Sequence, residues 1–173
     1  MRNHHTILGQ MLQLISRYEF DTADTETRTE HPAPGFRSWN HLDSILYGQL
    51  SAQDSLRGIE AGLASQSPRL YHLGILPSHR STLAYANQHR SHELFTKVFA
   101  ALLSKCQAIA PKHRFRFKNP LDSMEASTIT LCLSLFNWAK FRTTKGAVQL
   151  HVKLRHAGYL PTFMSVTTGK VHE

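Results

Sequence analysis

Residues 120–141 read PLDSMEASTITLCLSLFNWAKF. The stretch opens on two carboxylates, Asp122 and Glu125, and runs into Thr128-Ile129-Thr130-Leu131-Cys132-Leu133. That β-branched and apolar run has the composition of a buried strand. It closes on Phe136, Trp138, Lys140, Phe141 and Arg142. An acid at the entrance to a buried strand is a common place to hold a catalytic carboxylate or a metal ligand. The plainer reading of the same pattern is an edge strand capped by surface acids.

Downstream, GAVQLHVKLRH (146–156) alternates Val148, Leu150, Val152 and Leu154 with Gln149, His151, Lys153 and Arg155, the period of a half-buried strand. His156–Tyr159 is a turn and LPTFMSVTTG a third strand, so this part of the chain reads as a β-meander. Upstream the period is helical. Ile7, Leu8, Met11, Leu12, Leu14, Ile15 and Tyr18 predict one amphipathic helix over 6–18, and the acidic, threonine-rich Asp21–Gly35 reads as a loop. A helix over 38–50 follows, with Trp39, Leu42, Ile45, Leu46 and Leu50 on its apolar side. A short one over 56–64 turns Leu56, Ile59 and Leu63 inward before a loop at 65–69. LYHLGILP is a turn, and Ser78 or Ser81 can cap a helix RSTLAYANQHR. A broad apolar face from Leu94 to Ile109 makes a further helix, ended by Pro111. The fold class is α+β: a helical domain over 1–110, then strands over 111–173.

Charge narrows the function. The chain of 173 residues carries 20 Lys and Arg against 12 Asp and Glu, a net of +8. From residue 31 onward the balance is 17 against 7, a net of +10. A basic globular chain points first to nucleic acid. Two segments concentrate the signal. Helix, turn with Gly74 and short second helix resemble a helix-turn-helix, in which Arg80, Ser81, Thr82, Tyr85, Asn87 and Arg90 face DNA. An ordinary bundle with a solvated face fits the pattern equally. Lys112, Arg114, Arg116 and Lys118 alternate with Phe115 and Phe117, which in an extended segment lays cations along one face for phosphate contact. Lys140, Arg142 and Lys145 add phosphate contacts near the sheet. No apolar run of about 18 residues is present, which excludes a helical membrane span. The start MRNHHTILGQ lacks a secretory signal, so a cytoplasmic protein is expected, nucleoid-associated when bound to DNA. Cys106 and Cys132 lie in apolar segments without ligand spacing and read as two buried thiols. No His pair has a third ligand, so a structural zinc is not expected.

Taken together, NHHTILGQMLQLI, SLRGIE, RLYHLGI with RSTLAYAN, APKHRFRFKNPL, ASTITLCLSLFNWAKFRTTKGAVQLHV and GYLPTFMSVTTGKVHE resemble bacterial insertion-sequence transposases of the DDE type, in insertion-sequence family 4. The likeness covers essentially the whole chain. It implies an N-terminal DNA-binding helical domain followed by the first strands of an RNase H-like catalytic domain. It also implies DNA ends as the partner and Mg2+, held as a pair by three acids in a complete family member, as the cofactor.

The departures bear on activity. The family's strand places an Asp directly before Ala-Ser-Thr; here that position is Glu125, and Asp122 stands where a Tyr is usual. Glu displaces the carboxylate by roughly 1 Å, which metal-bridging geometry tolerates poorly. Asp122, three residues away on a strand, points to the other face. From 126 to 172 there is no Asp or Glu, so the second and third acids of the family are missing and no metal is expected in this chain, Glu125 being its one family-type ligand. The expected function is therefore that of an N-terminal transposase fragment that binds DNA without cleaving it. A non-catalytic regulator that pairs with a full-length transposase, or with itself, is the alternative.

Overall fold

The structure, a computed structural model, describes residues 6–28, 35–110, 119, 121–131, 140–142, 145–156 and 158–168. Among these, six α-helices precede four strands, so the α+β class holds. The chain divides into two compact units, Met1–Leu102 and Leu103–Glu173. The division falls inside the last helix.

The helices are α1 (Ile7–Leu14), α2 (Arg17–Thr27), α3 (Ser38–Leu50), α4 (Leu56–Leu70), α5 (Arg80–His89) and α6 (Glu93–Ile109), with a single 3-10 turn at Tyr71–Leu73. The helix expected over 6–18 is two helices. Ile15 leaves helical geometry, and Ser16 starts α2 by accepting the Glu19 N–H at 3.4 Å. α2 then takes the first part of the stretch expected to be a loop. Its acids sit at helical spacing from bases, Arg17 with Asp21 at 3.1 Å and Arg28 with Asp24. Its threonine hydroxyls (Thr22, Thr25 and Thr27) bond carbonyls four residues back, so they stay within the helix instead of competing with it. Phe20, Ala23 and Thr27 bury the inner face.

α3 has the expected bounds but a different inner side. His41, Leu42, Asp43 and Ser44 are all buried, whereas Leu50 is exposed. One apolar cluster, with Leu8, Leu12, Phe36, Ile59, Leu63 and Leu83, packs with Trp39, Leu46 and Tyr47 of α3. A second, with Phe20, Ala23, Leu94 and Val98, closes over Leu42 and Trp39. α4 runs on through the expected loop at 65–69, with Pro68 in its last turn, because this carries Leu70 into the first cluster. Cys106 is exposed, a correction to the expectation of a buried thiol: α6 buries Leu94 and Val98, while 104–109 are exposed. Cys132 lies outside the described residues.

In the second unit, β1 (Asp122–Leu131), β2 (Lys140–Arg142), β3 (Lys145–Arg155) and β4 (Leu160–Thr168) form one antiparallel sheet. β3 is central. It pairs with β1 from Asp122↔Arg155 to Leu131↔Gly146 without interruption, and with β4 from Arg155↔Leu160 to Val148↔Thr168. Gly146 pairs with Leu131 and also with Lys140, so β2 lies on the β4 side of β3. The backbone places Val148, Leu150, Val152 and Leu154 on one face with Ile129, Met164 and Val166, and Gln149, His151, Lys153 and Arg155 on the other. Burial does not follow the expected alternation: His151 is buried, whereas Leu150, Val152 and Leu154 are half-buried. β1 begins six residues before the expected Thr128, and residues 122–130 are half-buried or exposed rather than buried. Ladder hydrogen bonds to β3 define this strand, and they need no apolar run.

The α3–α4 contact rests on reciprocal small-for-large packing. A Cβ on Gly48 would lie 2.6 Å from Ile59 Cδ1, and one on Gly62 would lie 2.4 Å from the Tyr47 hydroxyl. Gly48→Ala should lower stability by roughly 1–3 kcal/mol despite alanine's better helix propensity. Urea unfolding measures this, and an unchanged or raised midpoint would contradict such close packing.

Candidate nucleic-acid interface

α5 is held from beneath by Leu83 and Ala86, each 1% exposed. Its N-cap is His79 rather than either serine, and that side chain makes no capping bond of its own. The cap comes from α4. Glu60 Oε1 accepts the His79 Nδ1–H at 2.9 Å, and the same carboxylate accepts the Arg80 backbone N–H. The His79 hydrogen bond, then that of Arg80, holds Glu60 below the usual carboxylate range. This clamp joins residues 19 apart in sequence and satisfies a helix N-terminus that α5 cannot cap alone.

The six residues expected at DNA, five on α5 and Arg90 at its C-cap, divide into two groups. Arg80, Ser81 and Tyr85 are exposed and Thr82 is half-buried. The Tyr85 ring stacks on His89, with centroids 4.0 Å apart and planes at 19°, and His89 Nδ1 donates to the Tyr85 carbonyl at 2.9 Å. This gives the outer face a flat aromatic pair one turn from Arg80 and Ser81. Asn87 and Arg90 point to α3 instead. Asn87 Oδ1 accepts from His41 Nε2 at 2.7 Å. Arg90 donates to the Phe36 carbonyl and, at 3.2 Å, to the Arg37 carbonyl, with its guanidinium 5.0 Å above the Phe36 ring. These two residues hold α5 in place, Arg90 half-buried and Asn87 while itself exposed. Burial lowers the His41 pKa, which keeps the imidazole neutral against Asn87 and the edge of Phe95.

Nine residues, 71–79, connect α4 to α5, against the three or four of a helix-turn-helix. Lys112, Arg114, Arg116 and Lys118 lie outside the described residues. Lys140 and Arg142 fall on β2, with Lys145 opposite Arg142 at the start of β3, so the backbone gathers these three positions at one hairpin.

The two acids of β1 do not converge. The uninterrupted register puts Asp122, opposite Arg155, on the polar face and Glu125, opposite Val152, on the apolar face. Asp122 Oδ2 bonds Lys153 Nζ at 3.0 Å, and its Oδ1 lies 3.5 Å from Arg155 Nε. The Lys153 hydrogen bond, aided by the charges of Lys153 and Arg155, lowers the Asp122 pKa. Glu125 is exposed. Among the described residues no three His, Cys, Asp or Glu side chains could hold a metal ion. Two acids on opposite faces, one of them in ion pairs, do not fit a shared two-metal site.

Three comparisons with known proteins bear on this chain. Residues 3–76 match a family model described as a domain of unknown function, DUF4372. The chain is similar to a probable transposase for insertion sequence element IS5377 from Geobacillus stearothermophilus, 25% identical over 175 residues. That match takes in 99% of this chain, which spans 44% of the length of the relative. No solved structure matches. On these comparisons the chain is related to the insertion-sequence transposases.

Proposed function

We propose that these 173 residues carry a DNA-binding function of transposition, with the outer face of α5 as the contact surface. The observation that carries the reading is the division of labour on α5. Its inner face and both ends are anchored, by Glu60 at the start and by Asn87 and Arg90 at the end. Arg80, Ser81 and the Tyr85–His89 stack are left outward on a rigid support. Arg suits a base edge or a phosphate, Ser a phosphate, and a flat aromatic pair suits sugar or base surfaces. The net charge of +8 and the relationship to a transposase support DNA as the partner.

The connection of nine residues makes this a helix-in-groove reading without a standard helix-turn-helix. Lys112, Arg114, Arg116 and Lys118 add phosphate contacts, as do Lys140, Arg142 and Lys145 at the β2–β3 hairpin. The antiparallel meander is compatible with the opening strands of an RNase H-like sheet. Strand cleavage is not assigned to these residues. Asp122 and Glu125 stand on opposite faces, and residues 126–172 hold no Asp or Glu.

The test is binding to duplexes carrying the ends of the encoding element and to scrambled duplexes, across a salt series. The expected result is a preference for the ends of roughly a thousandfold or more that persists at ~0.15 M salt. Equal and steeply salt-dependent binding to both would reduce the chain to a generic basic surface. Two sets of variants separate contact from support. Arg80→Ala and Tyr85→Ala should each weaken end binding by roughly 1–3 kcal/mol at unchanged stability. Asn87→Ala should instead lower stability by roughly 1–3 kcal/mol, because it leaves the buried His41 N–H without an acceptor. Thermal unfolding of the free proteins distinguishes the two effects.

A further inference from the structure

Asp43 is the most unusual side chain of the helical unit. It is 0% exposed, and among the described residues neither carboxylate oxygen has a hydrogen-bond partner. A buried unpaired carboxylate is costly and calls for an explanation. Its neighbour Ser44, also 0% exposed, donates to the Asn40 carbonyl and does not help it.

Among the described residues, Arg17 is a cation that bears on Asp43. Arg17, in the first turn of α2, acts on it electrostatically while engaged elsewhere. The Arg17 guanidinium lies 4.3 Å over the Trp39 ring, and its Nε donates to Asp21 at 3.1 Å. Trp39 is four residues before Asp43 on α3, so ring and carboxyl are neighbours on one helix face. Other ionisable groups stand on α3 and on the helices packed around it, and α2 itself brings Glu19, Asp21 and the buried Asp24, the last paired with Arg28. α1 has none; α4 brings Arg57, Glu60 and Arg69; α5 brings Arg80 and His89. α6 brings Glu93 and Lys97, and Lys97 is paired with Glu26 of α2. His41, on α3 itself, bonds Asn87.

We propose that Asp43 is a proton-controlled latch for the start of α2. With its carboxyl protonated, the packing described above holds. On losing the proton, Asp43 draws Arg17 from Asp21 and from the face of Trp39, and the first turn of α2 loosens from α3. The Glu26–Lys97 pair at the other end of α2 confines the movement to that turn.

Burial pushes the Asp43 pKa up to about 7, against the opposing pull of Arg17. The packed state therefore binds the proton more tightly than the unfolded chain, whose carboxyl titrates near 4. Packing is favoured at low pH, weakens as pH rises from about 4 towards 7, and is weakest above that.

The test uses the full chain with Trp138→Phe, which leaves Trp39 as the one tryptophan. Trp39 fluorescence is followed from about pH 5 to 9. The expected result is one transition with its midpoint near neutrality, abolished by Asp43→Asn. Arg17→Gln, which removes the cation that moves between Trp39 and Asp43, should abolish it as well. A transition that survives Asp43→Asn, or flat emission in the parent protein, would overturn the proposal. Should Asp43→Asn fail to fold, the Arg17→Gln comparison decides, and a Trp39 transition that persists in it overturns the proposal.

Discussion

Burial of α3 on every side of its middle turns is the constraint from which the rest of the helical unit follows. Its hydrogen-bonding side chains there must find partners inside the protein, since water cannot serve them. Ser44 turns back to Asn40, and Asn40 Oδ1 accepts the Arg37 N–H at 3.2 Å. His41 reaches across to Asn87 on α5. That last bond, with the hold of Arg90 on Phe36 and Arg37, fixes the C-terminal half of α5, as Glu60 fixes its start. The outer face of α5 is therefore set by needs that arise within α3 and α4. Among the described residues of α3, Asp43 is the group the arrangement leaves unsatisfied.

The sheet follows a simpler rule. β3 is hydrogen-bonded along both edges, and strict alternation separates an apolar from a polar face. The same alternation decides the chemistry of the two acids in β1. An odd spacing along an uninterrupted ladder sends Asp122 among Lys153 and Arg155 and Glu125 to the side of Val152. Asp122 is thereby a structural ion-pair partner. With side chains 40% and 47% exposed, Lys153 and Arg155 hold it in a pair of modest strength.

Much of this was legible in the residues because period and composition act locally. The α3 bounds, the inward Ile59 and Leu63, and the alternation of faces along β3 all follow from such patterns. What escaped was decided by partners distant in sequence. The acid-rich run 21–27 reads as a loop until Ser16 and Glu19 are seen as a helix start and Arg17 and Asp21 as neighbours one turn apart. Ser16 followed by Glu19 was the available signal. Nothing local marks the clamp of Glu60 on His79 or the turning of Asn87 and Arg90 towards α3. On α5, helical spacing identified an outward face, but tertiary hydrogen bonds divided its members into contact and support.

The most direct measurement is the change in backbone amide NMR shifts when the full chain is titrated with an element-end duplex at ~0.15 M salt, where weak surface attraction is screened. The account predicts that the largest changes fall on residues 80–89, with the acidic helix α2 little altered. Changes confined to other segments, with 80–89 unmoved in a saturated complex, would contradict α5 as the DNA-contacting element.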